Sequence, residues 1–394
     1  MEGAWQPETS RDRRLDQLRA TMNHYIEKNI TRVEANLPVF FGHVAATLNK
    51  TFPDLDDRAY DDFIDTITST ILNTAHEAAT AEYFEKILRY AMGNKRRRRE
   101  RTTLDVLVAL KLIDTGNYPP AVERLARYRN YDGRVSAAIA YSYYTLSRAA
   151  NRKQGLHPTD MELCAREEML NLARSRAPLN RLEVFDHGDA RLNRIFWSML
   201  DLGFTWFPGE PAFYRLGILR ARYENDIKRR QRLIARATER FPENKYFLGE
   251  AFETCIELHN GSGAAATVRQ MMQRYPDDHE PLYFGMKLAI LGAQPESYAS
   301  FRKLALLKRF PQHLLLMLDT ALAVMCNQRA GNYLSFEAAK KASPGQTHYI
   351  TALEYILRDC TGGDEERRKR ARSTFFTSVN RYCMHVLKIG EYRE

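Results

Sequence analysis

The sequence predicts an all-α protein, a helical N-terminal unit followed by stacked helix pairs, and three observations carry that prediction. Apolar residues recur at helical spacing over most of the 394 residues, and no segment sustains the period-two alternation of a half-buried strand. Prolines stand at Pro208, Pro242, Pro276, Pro311 and Pro344, at spacings of 34, 34, 35 and 33. A fixed period of that length marks stacked supersecondary units.

Composition bounds the class. Hydrophobic residues at 44% and charged residues at 27%, with only 20 glycines and 15 prolines, describe a chain that folds around a core. Its length suits two domains or one elongated array. The five cysteines, Cys164, Cys255, Cys326, Cys360 and Cys383, are scattered and never paired as C-x-x-C, which suggests neither a disulfide framework nor a zinc site. A reducing, cytoplasmic setting is expected, or a nuclear one if the source is eukaryotic. The first twenty residues carry charges where a signal peptide needs an apolar stretch, and no run reaches the roughly 18 apolar residues of a membrane span. The best apolar run, His313 to Cys326, is interrupted by Asp319 and reads as a core helix.

The first unit, residues 1–94, shows helical spacing at Leu15, Leu18, Met22, Ile26, Ile30, Val33, Phe40, Val44 and Leu48. Breaks are expected at Leu37-Pro38 and at Thr51-Phe52-Pro53-Asp54, with Asp54 capping the next helix. Residues 95–102 form a basic linker: Lys95 to Arg101 contributes 6 − 1 = +5 of the net 59 − 49 = +10. Thr102-Thr103-Leu104-Asp105 then reads as a capping signal opening a second domain, 103–394. Turns between its helices are marked by Gly116 to Pro120, Asp132-Gly133 and His157 to Asp160.

The prolines organise the rest. The first four follow an aromatic residue, as in Trp206-Phe207-Pro208, Phe241-Pro242, Tyr275-Pro276 and Phe310-Pro311. Five residues before each later proline stand Ala237, Met271, Leu306 and Ala339, and eight before stand Ile234, Val268, Lys303 and Phe336; seven of these eight are apolar. Twelve before stand Arg230, Ala264, Ala299 and Asn332, of which two are small. This pattern resembles the tetratricopeptide repeat, clearest over 208–359, with a weaker unit ending at Ala177-Pro178. The first helices depart from it, reading Ile218, Phe252 and Lys287 where the family has its glycine and tyrosine pattern.

The resemblance implies a right-handed α-α superhelix whose first helices line a concave groove. Carried over by offset, the groove residues are Arg215, Arg222 and Tyr223, then Tyr246, Glu253 and Glu257, then Phe284, Leu288 and Leu291. Leu314, Met317 and Val324 continue an apolar trend, which fits either an apolar partner helix or the chain's own C-terminal helix. That helix, 364–390, is expected to cap the stack, with Phe375, Phe376, Val379 and Val386 facing inward.

Sites for chemistry were sought in three places. Gly261-Ser262-Gly263-Ala264-Ala265-Ala266 matches the loose dinucleotide pattern G-x-G-x-x-A, but it follows a helix and reads as a turn between helices. The acidic stretch Asp54 to Asp65 has the length of a calcium loop, yet it carries Arg58 at a ligand position and Ala59 where glycine is needed; it reads as helix capping. Asp186-His187-Gly188-Asp189 places an imidazole between two carboxylates without a third partner. No enzyme, cofactor or metal is therefore expected.

Two functions compete. The first is a protein-interaction scaffold holding a peptide or helix in the groove. The alternative is nucleic-acid binding, with phosphate contacts from Lys95, Arg96, Arg97, Arg98 and Arg99 and from Lys228, Arg229 and Arg230.

Overall fold

The computed structural model describes residues 10–75, 81–97, 102–154, 160–175, 190–326, 329–342, 347–360 and 364–389. Among the described residues there are nineteen α-helices and no strand. The chain divides into two compact units, Met1–Arg220 and Ala221–Glu394. Asp186 to Asp189, Ala177-Pro178, Arg98 to Arg101, His157 to Thr159 and Pro344 lie outside the described residues.

In the first unit, α1 (Ser10–Ala35) and α2 (Leu37–Thr51) meet at Asn36, with Pro38 in the first turn of α2 as the sequence predicts. Helix α3 (Asp57–Thr74) is capped by Asp56, not Asp54: its carboxylate accepts the Ala59 N–H at 2.9 Å. Helices α4 (Ala81–Asn94), α5 (Thr102–Asp114) and α6 (Tyr118–Ala126) follow. Leu104 to Ile113 of α5 is buried without a break, as in a helix surrounded by others. Asp105 is thus no cap; it is buried, accepting from Arg124 and, at 2.5 Å, from the Tyr128 hydroxyl. Phe63, Phe84, Ile87, Leu107 and Leu110 belong to one core, so the helices on both sides of the basic run pack together. Next come α7 (Gly133–Gln154), α8 (Asp160–Arg174), α9 (Ala190–Trp206) and α10 (Pro211–Tyr223), around a second core containing Met169, Phe196, Leu200 and Phe213.

In the second unit, α11 (Ile227–Arg240), α12 (Lys245–Glu257), α13 (Gly261–Arg274), α14 (His279–Leu291), α15 (Pro295–Leu307), α16 (Gln312–Met325), α17 (Arg329–Ala342) and α18 (Thr347–Asp359) pack mainly against chain neighbours, and α19 (Glu365–Val386) packs on α16 and α18. The periodic turns explain why. Asn225, His259 and Ala293 adopt positive φ of 56°, 53° and 47°, one residue every 34. Each is followed by an N–H that closes onto a carbonyl five residues back: Asp226 to Ala221 at 2.8 Å, Asn260 to Cys255 at 2.8 Å, Gln294 to Ala289 at 2.9 Å. This left-handed closure satisfies the carbonyls left open at a helix end. The carboxylate of Asp226 and the amide of Asn260 then cap α11 and α13. At the other end, the aromatic residue before each proline closes the helix: Phe241 to Ala237, Tyr275 to Met271 and Phe310 to Ala305, at 2.8, 2.8 and 2.9 Å.

Gly261-Ser262-Gly263 is the first turn of α13 rather than a turn between helices. A Cβ on Gly263 would stand 2.6 Å from the Asn260 side chain, so glycine there makes room for the cap. Helix α16 is the apolar run read as a core helix; Leu314, Met317, Leu318 and Val324 are buried. Among the described residues no helix is long and apolar enough to cross a membrane.

Candidate partner-binding face

The residues that the repeat offsets point to lie on α10, α12, α14 and α16; in the second unit α12, α14, α16 and α18 are the first helices of their pairs. Much of their charge is spent between neighbouring pairs. Arg222, in the last turn of α10, bonds the fully buried Glu250 of α12. Both carboxylate oxygens of Glu253 of α12 accept from Lys287 of α14, each at 2.8 Å, and Lys287 is itself buried and lies 5.8 Å from the Phe252 ring centre. Arg230 of α11 is buried and bonds Glu257 at the end of α12. Lys245 bonds Asp278. Two carbonyl contacts repeat one unit apart: Arg274 donates to the Pro242 carbonyl and Lys308 to the Pro276 carbonyl, each reaching back 32 residues. Between the next two pairs, Asp319 of α16 takes the hydroxyl of Tyr298 of α15 at 2.7 Å and the Arg302 guanidinium at 2.8 and 2.9 Å. Burial raises the Tyr298 phenol, and the bond to Asp319 raises Arg302, so both stay protonated donors.

The C-terminal helix lies across this series. Tyr283 of α14 donates its hydroxyl to the Asn380 side chain, and Tyr349 of α18 donates to the Ser378 carbonyl. The Tyr382 ring stacks on Tyr349 at 4.9 Å between centroids and meets the His313 ring of α16 at 6.2 Å. Burial lowers the His313 pKa, so its imidazole packs as a neutral ring near pH 7. Phe375, Val379, Tyr382 and Cys383, at i, i+4, i+7 and i+8, are buried. Burial also pushes the Cys383 thiol upward, away from reactivity. Of the expected inward residues, Phe375 and Val379 are core and Phe376 and Val386 pack half-buried against it, and Tyr382 and Cys383 join them in the core.

The sequence-predicted groove residues separate accordingly. Arg222, Glu253 and Glu257 join neighbouring helices. Phe284 is fully buried, with its ring centroid 4.6 Å from that of Phe252, and Leu288 packs half-buried on the same core. Tyr223 is 46% exposed, and Tyr246 is half-buried with its ring 5.4 Å from Phe247. Arg215 is half-buried in the first unit. Lys287, which the repeat pattern flagged only as a departure, proves the central cation. Its signal was an opposite charge one period after Glu253.

The described part of the basic run, Lys95 to Arg97, is built into the first unit. Lys95 is buried against Asp65 at 2.8 and 2.9 Å. The N–H groups of Arg96 and Arg97 donate to the Asp61 carboxylate at 2.8 and 3.0 Å. The Arg96 guanidinium reaches the Leu55 carbonyl, Asn49 and Asp57 and lies 4.3 Å from the Tyr60 ring centre. Asp57, Asp61 and Asp65 form one row on α3, so the acidic stretch serves largely to receive this run. Burial pushes the Asp65 carboxyl up to about 6 against the opposing pull of Lys95. In the other basic cluster, Lys228 is exposed, Arg229 lies 3.8 Å from both Glu224 and Asp226, and Arg230 is buried as described. Among the described residues, no group of three or more His, Cys, Asp or Glu is placed to hold a metal ion.

No family model matches the sequence, and no curated protein matches it.

Proposed function

We propose that the second unit is a protein-interaction scaffold related in design to tetratricopeptide arrays, whose first-helix face receives an amphipathic helix of a partner. One observation carries this reading: α19, with apolar residues at i, i+4, i+7 and i+8, already rests on α14, α16 and α18 through Tyr283, His313 and Tyr349. A face that accepts one such helix has the chemistry to accept another alongside it, and the helix-in-groove mode uses that residue spacing. The chain's own helix fills the apolar end, and the partner is placed upstream of it, around the exposed Tyr223. The same reading makes the protein a binder without catalysis, working inside the cell.

A second reading, binding of a nucleic-acid backbone, is favoured by the exposed row Lys228, Arg232 and Arg236 on α11. It loses support from Lys95 and Arg230, whose charges are buried and paired. The test is capture from lysate with the intact chain, with and without nuclease. The scaffold reading expects a protein retained after nuclease and lost with Tyr223→Arg. Material lost with nuclease, or with Lys228, Arg232 and Arg236 all changed to Gln, supports the second reading instead.

A further inference from the structure

Between α1 and α2 lies a cleft of about 480 Å³ that neither unit's packing fills. Its apolar walls are Met22, Tyr25, Val33, Val39 and Phe40, and its polar lining is Arg32 and His43 with the neutral Thr21 and Asn36, and no carboxylate. The cleft follows from the local chain. A single residue joins the two helices, and α1 leaves helical geometry at Asn29 (φ −130°, ψ 29°). Pro38 fixes the entry to α2. The two helices touch little, so apolar residues that a tight hairpin would cover stay open: Val39 is 71% exposed and Tyr25 is 40% exposed. The Tyr25 and Phe40 rings lie parallel at 6.3 Å, giving one flat aromatic wall. Arg32 and His43 make no side-chain hydrogen bond or ion pair among the described residues.

We propose that this cleft binds a free amphiphilic carboxylate, whose apolar body lies against Tyr25, Val39 and Phe40 and whose anionic end meets Arg32 and His43. Its volume falls in the range of about 300–1,000 Å³ typical of small-molecule sites, which are lined by apolar and aromatic residues with a few polar groups that orient the ligand. The charge asymmetry selects the sign: a cation without a partner beside an apolar wall favours an anion and disfavours an amine. The apolar residues line a recess between helices rather than crown a convex face, which fits a single tail better than a membrane surface.

The test is titration of the full chain with dodecanoate, dodecanol and dodecylamine below their micelle concentrations. Dodecanoate is expected to bind at least about tenfold more tightly than the alcohol or the amine. Val39→Glu, at an exposed position that leaves the thermal transition unchanged, is expected to weaken dodecanoate about tenfold or more. Arg32→Gln with His43→Gln is expected to remove the preference for acid over alcohol. Equal binding of acid and alcohol to the wild-type chain, or undiminished binding to Val39→Glu, overturns the proposal. So does sedimentation of the wild-type chain, but not Val39→Glu, with vesicles of anionic phospholipid, which would assign the cleft to a membrane.

Discussion

Both units bury charge, but the first places each pair once, whereas the second repeats its pairs at the interval of the fold. In the first, Lys95 with Asp65 and Arg134 with Asp132 are buried pairs set at unrelated places in the chain. In the second, Arg222 to Glu250, Glu253 to Lys287, Arg274 to the Pro242 carbonyl and Lys308 to the Pro276 carbonyl each connect a residue to one about a repeat away. A pair placed once concentrates its energy at one point of the fold. Periodic pairs distribute smaller ones along the neighbouring helices of the second unit.

The largest expected effect is therefore in the first unit. Lys95→Ala leaves a buried carboxylate without its cation and is expected to cost about 3–5 kcal/mol in urea denaturation at pH 7. The sign of its pH dependence follows from the raised Asp65 pKa. A carboxyl held at about 6 in the fold, above its ordinary value of 3.8, contributes stability that is full below the lower value and is lost as pH rises through the upper one. The gap between the variant and the wild-type chain should accordingly narrow at acid pH, and a gap independent of pH would contradict the assignment.

In the second unit, Lys287→Ala removes the cation that both Glu253 oxygens meet and is expected to cost about 1–3 kcal/mol, because Glu253 keeps some contact with water. The loss should broaden the transition of the second unit while leaving the first unit's hydrogen exchange unchanged. Gly285→Ala tests the close approach of α14 and α15: the added Cβ would stand 2.4 Å from the Phe301 ring, and overpacking of this kind costs about 1–3 kcal/mol by thermal unfolding. The smallest effect has the opposite sign. Ala293 holds the left-handed position that Asn225 and His259 occupy in the two preceding repeats, so Ala293→Gly is expected to stabilise by about 0.5–1 kcal/mol.

The same contrast explains what could be read from the sequence. Repetition made the second unit legible: the aromatic-proline pairs mark helix ends at 241, 275 and 310, where the N–H of each aromatic residue closes onto the last turn, four residues back for Phe241 and Tyr275 and five for Phe310. The break at Pro38 was legible because proline acts locally. Partnerships without a period were not. The acidic row of α3 and the basic run each stood out, yet nothing local says that Lys95 returns to Asp65, thirty residues earlier, so a solvated linker was the natural expectation. Asp105 failed for the same reason, since its partners Arg124 and Tyr128 arrive with α6 and the turn after it. Among the groove residues, offset placed Tyr223 and Tyr246 on the first helices, but it could not distinguish a residue that faces a partner from one that ties two repeats. That distinction depends on the charge one period onward, as Glu253 and Lys287 show.

The central claim is that the first-helix face of the second unit holds a partner beside the chain's own α19, and amide hydrogen exchange of the intact chain with and without captured partner tests it most directly. The account predicts new protection in α12 and at Arg222 and Tyr223, with α19 protected in both states. Protection confined to the exposed row of α11, at Lys228, Arg232 and Arg236, with α12 unchanged, would contradict it.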